Sequence, residues 1–229
     1  WDKRHDEEYV TMVLATIISG QELDLRRFGK AGADRVVALQ TDQELEDYAY
    51  RVAGCVGEFW TRICRRRLFP DEAVDETRLM RWGRRFGIGL QLVNILRDLP
   101  RDLRQGRCYF PAEALATVSL APSSLLDRGV LPQFRPVHDR YGEWASSCLD
   151  DGWAYTNALP RAQVRVRLAC AWPLLIGAKT LARLRREDVL DPGHRVKVSR
   201  AEVRRIVVVS VLAHPWPDVW RRLWGRGAA

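Results

Sequence analysis

The chain has 229 residues, of which 47% are hydrophobic, and its formal net charge is +8. This length is sufficient for one sizeable core, and the hydrophobic content excludes a largely disordered chain. The excess of arginine suits anionic partners such as nucleic acid, anionic lipid or phosphorylated small molecules. No zinc-finger spacing, glycine-rich RNA motif or basic heptad accompanies the charge, so nucleic acid is not an expected partner.

The cysteines and the first residues indicate the cellular setting. The five cysteines are scattered and form no C-x-x-C pair, so neither a disulfide framework nor a zinc site is indicated, and a cytoplasmic location is expected. No apolar run approaches the roughly 18 residues that a membrane span needs. The opening WDKRHDEEYV lacks an initiator methionine and a signal-peptide pattern, which predicts an excerpt of a longer chain.

The first half of the chain repeats the 3.6-residue apolar spacing of helices. The pattern EEYVTMVLATIISGQELDLRRF predicts a helix that reaches Phe28. A capping box formed by Thr41 and Glu44 begins a second helix, which continues to the next proline. A third pattern, DEAVDETRLMRWGRRFGIGLQLVNILRDL, should kink or end near Leu99, because Pro100 removes an N–H and clashes with the preceding turn.

The second half begins with a loop-rich interval and continues with predicted helices near 134–157 and 161–186. Ser199, with Glu202 three residues later, caps a last helical pattern. The run RIVVVSVLA has strand-like composition, but it directly follows this cap and is interpreted as a buried helix segment. No internal repeat or Gly/Ser linker occurs, so the sequence predicts a single all-α domain over residues 1–229.

The stretch QLVNILRDLPRDLRQGRCYFP holds two aspartates, four residues apart, among four arginines. On a helix Asp98 and Asp102 would point the same way, and Asn94 and Gln91 would extend the row. A row of oxygen ligands suits Mg²⁺, which keeps several waters and is usually completed by substrate phosphates. The arginines could then neutralise diphosphate oxygens bound to the same metal.

A simpler explanation of this stretch is an exposed helix with Asp–Arg pairs, each worth only a few tenths of a kcal/mol. The flank IGLQLVNIL is almost wholly apolar, however, so Gln91 and Asn94 are expected to be buried. Buried amides need hydrogen-bond partners, and a metal–diphosphate cluster would supply them. Spacing alone leaves both interpretations open.

Two motifs together carry a family resemblance. LQLVNILRDLPRDLRQGRCYFP resembles the second aspartate-rich motif of the squalene/phytoene synthases, roughly Q-x-x-N-I-x-R-D-x-x-x-D-x-x-x-G-R-x-Y-x-P, and matches every named position. YAYRVAGCVG resembles the Y-x-x-x-V-A-G-x-V-G helix of the same family. GQELDLRRF and HRVKVSRAEV are similar to weaker family segments in the expected order. The resemblance extends over nearly the whole chain and is closest to the bacterial squalene synthases.

The resemblance implies a helical bundle around a deep central cavity and the Mg²⁺-dependent, head-to-head joining of two farnesyl diphosphates. A cyclopropyl (presqualene) diphosphate would rearrange to squalene, hydroxysqualene, dehydrosqualene or phytoene. No dinucleotide-binding fingerprint is present, which leaves the use of NADPH open, because squalene synthases reduce their intermediate without a Rossmann domain.

The resemblance also implies roles for individual residues. Tyr48, Asp98 and Asp102 would be catalytic, and Asn94, Asp98 and Asp102 would ligate the metal. Tyr48 would present its ring and hydroxyl to the cation or to a departing proton. The implied substrate-binding residues are Val52, Gly54, Gly57, Gln91, Asn94, Arg97, Arg107 and Tyr109. The two glycines could equally serve close packing between helices.

One family feature is absent from the sequence. The first aspartate-rich motif, D-x-x-x-D, lies on a helix upstream of all the segments matched here. Asp2 and Asp6 have the bare spacing but lack the apolar helical context, so we treat them as accidental. The expected bundle is therefore N-terminally incomplete, and a non-catalytic helical scaffold that lacks this motif is the alternative to an enzyme.

The C-terminal stretch HPWPDVWRRLWGRG predicts a membrane-facing helix. Trp216, Trp220 and Trp224 share one helical stripe with arginines beside it. Tryptophan next to arginine on a short amphipathic helix is typical of the interface of an anionic bilayer. This pattern predicts peripheral contact with the inner membrane face through residues 215–226, and packing of the tryptophans against the bundle is the alternative.

Overall fold

The computed structural model describes residues 3–32 and 34–227, and most of this backbone is helical. The helices are α1 (Lys3–Phe28), α2 (Asp42–Ala49), α3 (Cys55–Leu68), α4 (Glu76–Arg104), α5 (Ala112–Ala116), α6 (Leu131–Ala158), α7 (Val164–Leu184), α8 (Arg200–Ala213) and α9 (Pro217–Gly227). Two short strands, β1 (Val37–Ala38) and β2 (Arg107–Cys108), pair in parallel. Two 3₁₀ turns, Pro122–Leu126 and Arg128–Val130, lead from α5 to α6. The predicted all-α architecture is confirmed.

The second predicted helix contains an irregularity that the sequence did not reveal. The Thr41 hydroxyl accepts the backbone N–H of Glu44 at 3.2 Å and begins α2, as the capping box predicts. Between α2 and α3, residues Tyr50–Gly54 form a π-helical turn. Such a turn holds an extra residue and shifts the side chains that follow it around the helix axis, and these turns occur frequently at functional sites.

The helix α4 runs through the centre of the bundle and packs against α3, α6 and α7. The helix does not end near Leu99, because α4 continues through Pro100 to Arg104. A proline inside a helix costs roughly 3 kcal/mol. Leu96, Leu99 and Leu103 are each at most 2% exposed, and burying each of them contributes about 1.5–3 kcal/mol. Core packing of these leucines therefore outweighs the local cost of the proline.

The last two helices correct two further expectations. The run RIVVVSVLA is helical as predicted, but only one of its faces is buried: the exposed fractions of Val208 and Leu212 are 56% and 68%. Valines and leucine on the outer face of α8 thus leave an apolar surface uncovered among the described residues, while the opposite face packs against α7 and α9.

The three tryptophans of the C-terminal stripe do not form one exposed surface. The Trp220 side chain is only 2% exposed and stacks on Trp153, with ring centroids 5.3 Å apart. Trp224 also stacks on Trp153, at 5.4 Å, and donates a hydrogen bond to Asp150 at 2.7 Å. Only Trp216 is largely exposed, at 66%. The prediction of a membrane-facing stripe is therefore wrong for two of its three members.

Neither end of the described chain adds a membrane span or an aspartate-rich motif. Within residues 3–32 and 34–227, no helix has the length and hydropathy needed to cross a bilayer. Asp2 lies outside the described residues, as does the side chain of Arg226 in the C-terminal stripe. Asp6 pairs with Arg66 at 3.4 Å and with Arg67, which gives it a structural role in joining α1 to α3.

Candidate active site

A hydrogen-bonded chain of two tyrosines and an aspartate connects three parts of the bundle. Tyr48 in α2 stacks on Tyr109, which follows β2, with ring centroids 4.8 Å apart. The Tyr48 hydroxyl donates to the Tyr109 oxygen at 3.3 Å, and the Tyr109 hydroxyl donates to the Asp24 carboxylate of α1 at 2.9 Å. Arg107 donates to the other Asp24 oxygen at 3.1 Å. Tyr48, Arg107 and Tyr109, which the sequence singled out separately, therefore lie together.

Both tyrosines hold their protons firmly. Burial raises the pKa of Tyr48, and the nearby charges of Asp24 and Asp102 raise it further, although the hydrogen bond with Tyr109 acts in the opposite direction. Burial also raises the pKa of Tyr109, as do its contacts with Tyr48 and Asp24. Both hydroxyls are therefore neutral, and their hydrogen bonds point from Tyr48 through Tyr109 to the Asp24 carboxylate.

Asp98 carries its negative charge between two arginines. The Arg97 side chain donates to both Asp98 oxygens, at 3.0 and 2.6 Å, and Arg195 approaches from the loop before α8 at 2.9 Å. Burial alone would raise the pKa of Asp98, but the hydrogen bonds and charges of these two guanidinium groups outweigh it and lower the pKa. Asp98 is thus ionised and sits beside two groups that can donate bidentate hydrogen bonds to oxyanions.

Asp102 differs sharply from Asp98 although it lies one turn away on the same helix. Burial, together with the charges of Asp98 and Asp24, raises the pKa of Asp102 to about 6. Arg101 and Arg107 act against this shift without cancelling it. Asp98 and Asp24 therefore both repel Asp102 in a partly buried place, and a cation beside Asp102 would relieve that repulsion.

The residues predicted to ligate the metal form only part of a cation-binding site. In the described part of the chain, no group of three or more His, Cys, Asp or Glu side chains is arranged to enclose a metal ion. Asp98 and Asp102 do share a helical face and offer hard oxygen ligands of the kind that Mg²⁺ prefers. A magnesium ion held there would depend on water and substrate phosphates for its remaining ligands, as Mg²⁺ commonly does.

The amides beside this pair are more accessible than the sequence suggested. Asn94 is exposed and Gln91 is half-buried, so the expectation that both amides are buried is wrong. The apolar flank packs through Leu92, Val93 and Ile95 instead, and these residues turn the amides away from the core. Exposure leaves Asn94 free to meet a ligand, but it removes the argument that a buried amide demands one.

An apolar cavity of about 360 Å³ lies between the π turn, α3, α4, α6 and α7. Small ligands occupy cavities of roughly 300–1,000 Å³. Of the predicted substrate-binding residues, Val52 and Gly57 line this cavity. Phe86 and Trp60 line it too, and neither was singled out from the sequence. The predicted central cavity thus has an apolar counterpart in the structure.

Glycines let α3 and α4 approach each other closely at the cavity. A Cβ atom on Gly57 would lie 1.9 Å from the Gly83 carbonyl oxygen, and one on Gly87 would lie 2.1 Å from the Ala53 oxygen. Gly54 faces α4 and does not line the cavity. Close helix packing therefore explains Gly54, while Gly57 serves packing and borders the cavity at once.

The cavity and the polar cluster share the same two helical segments. Val52 lies four residues after Tyr48, and Leu90, which also lines the cavity, lies eight residues before Asp98. At 1.5 Å per residue, this places the carboxylates about 12 Å along α4 from the cavity wall. A ligand with an anionic head and an apolar tail could therefore contact both.

Sequence reasoning missed two members of the cluster. Asp24 accepts the Tyr109 and Arg107 hydrogen bonds, and Arg195 completes the pair of guanidinium groups at Asp98. Both lie in segments that carry a weaker family resemblance, GQELDLRRF and HRVKVSRAEV. The resemblance of those two segments indicated that they contribute to the site, but nothing in their local sequence shows which side chain contacts the cluster.

The family model of the squalene/phytoene synthases matches residues 3–202. The chain belongs to this family. Members of the family join prenyl diphosphates head to head, and Mg²⁺ dependence is typical of them.

Curated relatives support the same assignment. A bifunctional lycopene cyclase/phytoene synthase from Leptosphaeria maculans is 26% identical over 200 residues, covering 85% of this chain and 32% of that protein. A protein of the same description from Arthroderma gypseum is 30% identical over 148 residues, covering 64% and 24%. The chain thus spans about a quarter to a third of the length of these relatives.

Solved structures of the family share the fold. Squalene synthase HpnC from Alicyclobacillus acidocaldarius superposes with a TM-score of 0.64 at 22% identity, covering 77% of this chain and 60% of that one. A dehydrosqualene synthase in complex with a ligand gives a TM-score of 0.69 at 21% identity, covering 94% and 66%. At these identities the likeness establishes the all-α fold of the squalene/phytoene synthase family and nothing finer.

Proposed function

We propose that the protein condenses two farnesyl diphosphates head to head, with Mg²⁺, through a cyclopropyl diphosphate to squalene or a related triterpene. The observation that carries this proposal is the joint placement of the carboxylate pair, the buried tyrosines and the apolar cavity along the same helices. Phytoene or dehydrosqualene is the alternative product, and the curated relatives named phytoene synthase favour testing a longer prenyl substrate as well.

Diphosphate binding is assigned to the end of α4. Asp98 and Asp102, with Asn94, would hold Mg²⁺, and the bound ion would stabilise the charge on the departing diphosphate as a Lewis acid. Arg97 and Arg107 would donate hydrogen bonds to diphosphate oxygens in place of their present carboxylate partners. Gln91 adjoins the same face and would contribute a neutral amide donor.

Proton removal is assigned to the tyrosine chain. Tyr48 would take a proton from the prenyl carbon skeleton while its own proton passes to Tyr109, and the Tyr109 proton would pass to Asp24. The stacked rings of Tyr48 and Tyr109 would also face a carbocation at the cavity end and stabilise it through their π-electrons. The apolar lining around Val52 and Gly57 would hold the prenyl tail away from water.

The test is product analysis of the full-length protein with farnesyl or geranylgeranyl diphosphate and Mg²⁺, with and without NADPH. Asp98→Asn should lower turnover by at least about a hundredfold while leaving the helical content unchanged. Asp71→Asn is the matched control, because Asp71 is an exposed aspartate in the loop before α4. Wild-type turnover in the Asp98 variant would refute the metal-site assignment.

A non-catalytic scaffold is the second candidate, favoured by the engagement of the Asp98 carboxylate with Arg97 and Arg195 instead of with a metal ion. The same assay separates the two: a scaffold would bind prenyl diphosphates without releasing inorganic diphosphate. Turnover by the full-length protein would exclude the scaffold.

Cytoplasmic location with contact at the inner membrane face forms a further part of the proposal. It is now supported by the exposed apolar residues Val208, Leu212, Trp216 and Val219 rather than by a tryptophan stripe. The double variant Leu212→Ser, Trp216→Ser should reduce co-sedimentation with anionic vesicles. Equal co-sedimentation of the variant and the wild type would refute contact through this surface.

A further inference from the structure

A second pocket, of about 570 Å³, lies between α6, α7 and α9 and shares no lining residue with the apolar cavity. Three tryptophans form its walls: Trp153, Trp220 and Trp224. The basic residues that line it are Arg161, Arg167, His214 and Arg221. None of the residues that line this pocket belongs to the cluster at α4.

Arg167 is the unusual residue of this pocket, because its guanidinium group is buried without a carboxylate partner. Its side chain is only 5% exposed, and its Nη atoms donate to the Leu159 carbonyl at 3.1 Å and the Asn157 side chain at 3.3 Å. The guanidinium also lies 5.4 Å from the centroid of the Trp220 ring. Its Nε atom is buried and has no hydrogen-bond partner among the described residues.

His214 adds a second buried and unsatisfied polar atom. Its Nε2 atom has no partner among the described residues, and its ring meets Trp220 edge-on. Burial lowers the pKa of His214, and the charges of Arg167 and Arg161 lower it further. Unpaired polar atoms inside a protein cost free energy and commonly mark a missing water, ion or ligand.

The positive charge of the arginines that line the pocket is not balanced by acidic residues in the described part of the same lining. No aspartate or glutamate lines the pocket within the described part of the chain. Two carboxylates contact lining residues: Asp218 pairs with Arg221 at 2.7 Å on the surface, and Asp150 accepts the Trp224 indole N–H. Arg161 donates only to the Pro215 carbonyl, at 3.3 Å, so most of its donors face the pocket or solvent.

We infer that this pocket binds a phosphate group carried on an apolar or aromatic body. Arg161, Arg167 and Arg221 supply donors for the phosphate oxygens, since guanidinium groups match the geometry of phosphate. The tryptophan walls supply flat apolar surface for the body of the ligand. A free phosphate ester and a phospholipid headgroup share this chemistry, and the experiment below separates them.

The experiment measures binding by isothermal titration calorimetry to the full chain in a chelator, which removes metal-dependent binding at α4. The probes are inorganic phosphate, phenyl phosphate, and vesicles of phosphatidylcholine with or without phosphatidic acid. The variants are Arg161→Gln and Arg221→Gln, which remove exposed donors and leave the buried Arg167 in place. The matched control is Arg165→Gln, because Arg165 is an exposed arginine of α7 that does not line the pocket.

Phenyl phosphate should bind the wild type and the control equally, and more tightly than inorganic phosphate does. Each pocket variant should bind it at least about tenfold more weakly, because a charge-assisted hydrogen bond is lost. Binding to vesicles with phosphatidic acid that shows the same dependence on the pocket arginines would identify a lipid headgroup, and its absence a free phosphate ester. No saturable binding of phenyl phosphate, or equal affinity in all four proteins, would overturn the inference.

Discussion

The substitution Gly57→Ala tests whether the glycine in the VAGCVG segment serves helix packing or only gives room to a prenyl tail. The added Cβ would lie 1.9 Å from the Gly83 carbonyl oxygen and 2.5 Å from the Gly83 carbonyl carbon. Both atoms belong to the backbone of α4, so the clash is relieved only if α3 and α4 move apart.

The expected cost follows from two opposing effects. Overpacking a core costs typically 1–3 kcal/mol, and a backbone-on-backbone clash belongs at the upper end, about 3 kcal/mol. Alanine is favoured over glycine inside a helix by roughly 1 kcal/mol, which offsets part of this cost. The free energy of unfolding should therefore fall by about 2 kcal/mol, and Tm by about 4–8 °C for a chain of this size.

Thermal unfolding followed by circular dichroism measures this effect. Gly142→Ala is the matched control, because a Cβ at this helical glycine in α6 would meet no atom within 4 Å. That variant should gain roughly 0.5–1 kcal/mol from helix propensity alone. A Tm of Gly57→Ala at or above that of the wild type, with Gly142→Ala stabilised as expected, would refute the packing argument. Activity cannot decide this question, since Gly57 also lines the cavity.

Four further substitutions test the core and the site. Pro100→Ala restores an N–H donor for the Leu96 carbonyl and should raise the free energy of unfolding by about 1 kcal/mol or more; a lower stability in urea would contradict the account of α4. Trp220→Ala should lower the free energy of unfolding by about 3–5 kcal/mol, because the ring is buried. Trp216→Ala should change it by no more than about 0.5 kcal/mol. Equal effects of the two variants in chemical denaturation would count against the assigned packing. Tyr48→Phe keeps the ring and removes the hydroxyl, so the turnover of the full-length protein should fall by about 10²–10⁴-fold, and an unchanged rate and product would assign Tyr48 to core packing.

Local signals in the sequence were sufficient for the features that depend on neighbouring residues. The Thr41 cap begins α2, and the Ser199–Glu202 capping box begins α8 with both reciprocal hydrogen bonds in place. The spacing of Asp98 and Asp102 places both on one helical face, because four residues make about one turn. Each of these features is decided within a few residues of the chain.

Features that depend on tertiary contacts could not be predicted in the same way. Pro100 normally ends a helix, and only the burial of leucines around it explains why α4 continues. The π turn at Tyr50–Gly54 has no local signal that distinguishes it from α-helix. The apolar character of RIVVVSVLA predicted burial, yet hydropathy alone does not say whether any neighbour covers a helix face.

The arrangement of carboxylates at α4 depends both on local spacing along the helix and on tertiary contacts. The i, i+4 spacing brings Asp98 and Asp102 together, but Asp24 reaches them only through the fold of α1 against the π turn and α3. Asp98 is compensated by two arginines, whereas burial and the charges of Asp98 and Asp24 raise the pKa of Asp102 despite Arg101 and Arg107. A sequence selected for stability alone would replace such a residue, because like charges in a partly buried place oppose folding. Retaining Asp102 makes physical sense if a cation and its diphosphate complete the cluster, so the unfavourable environment of this carboxylate supports the proposed metal site.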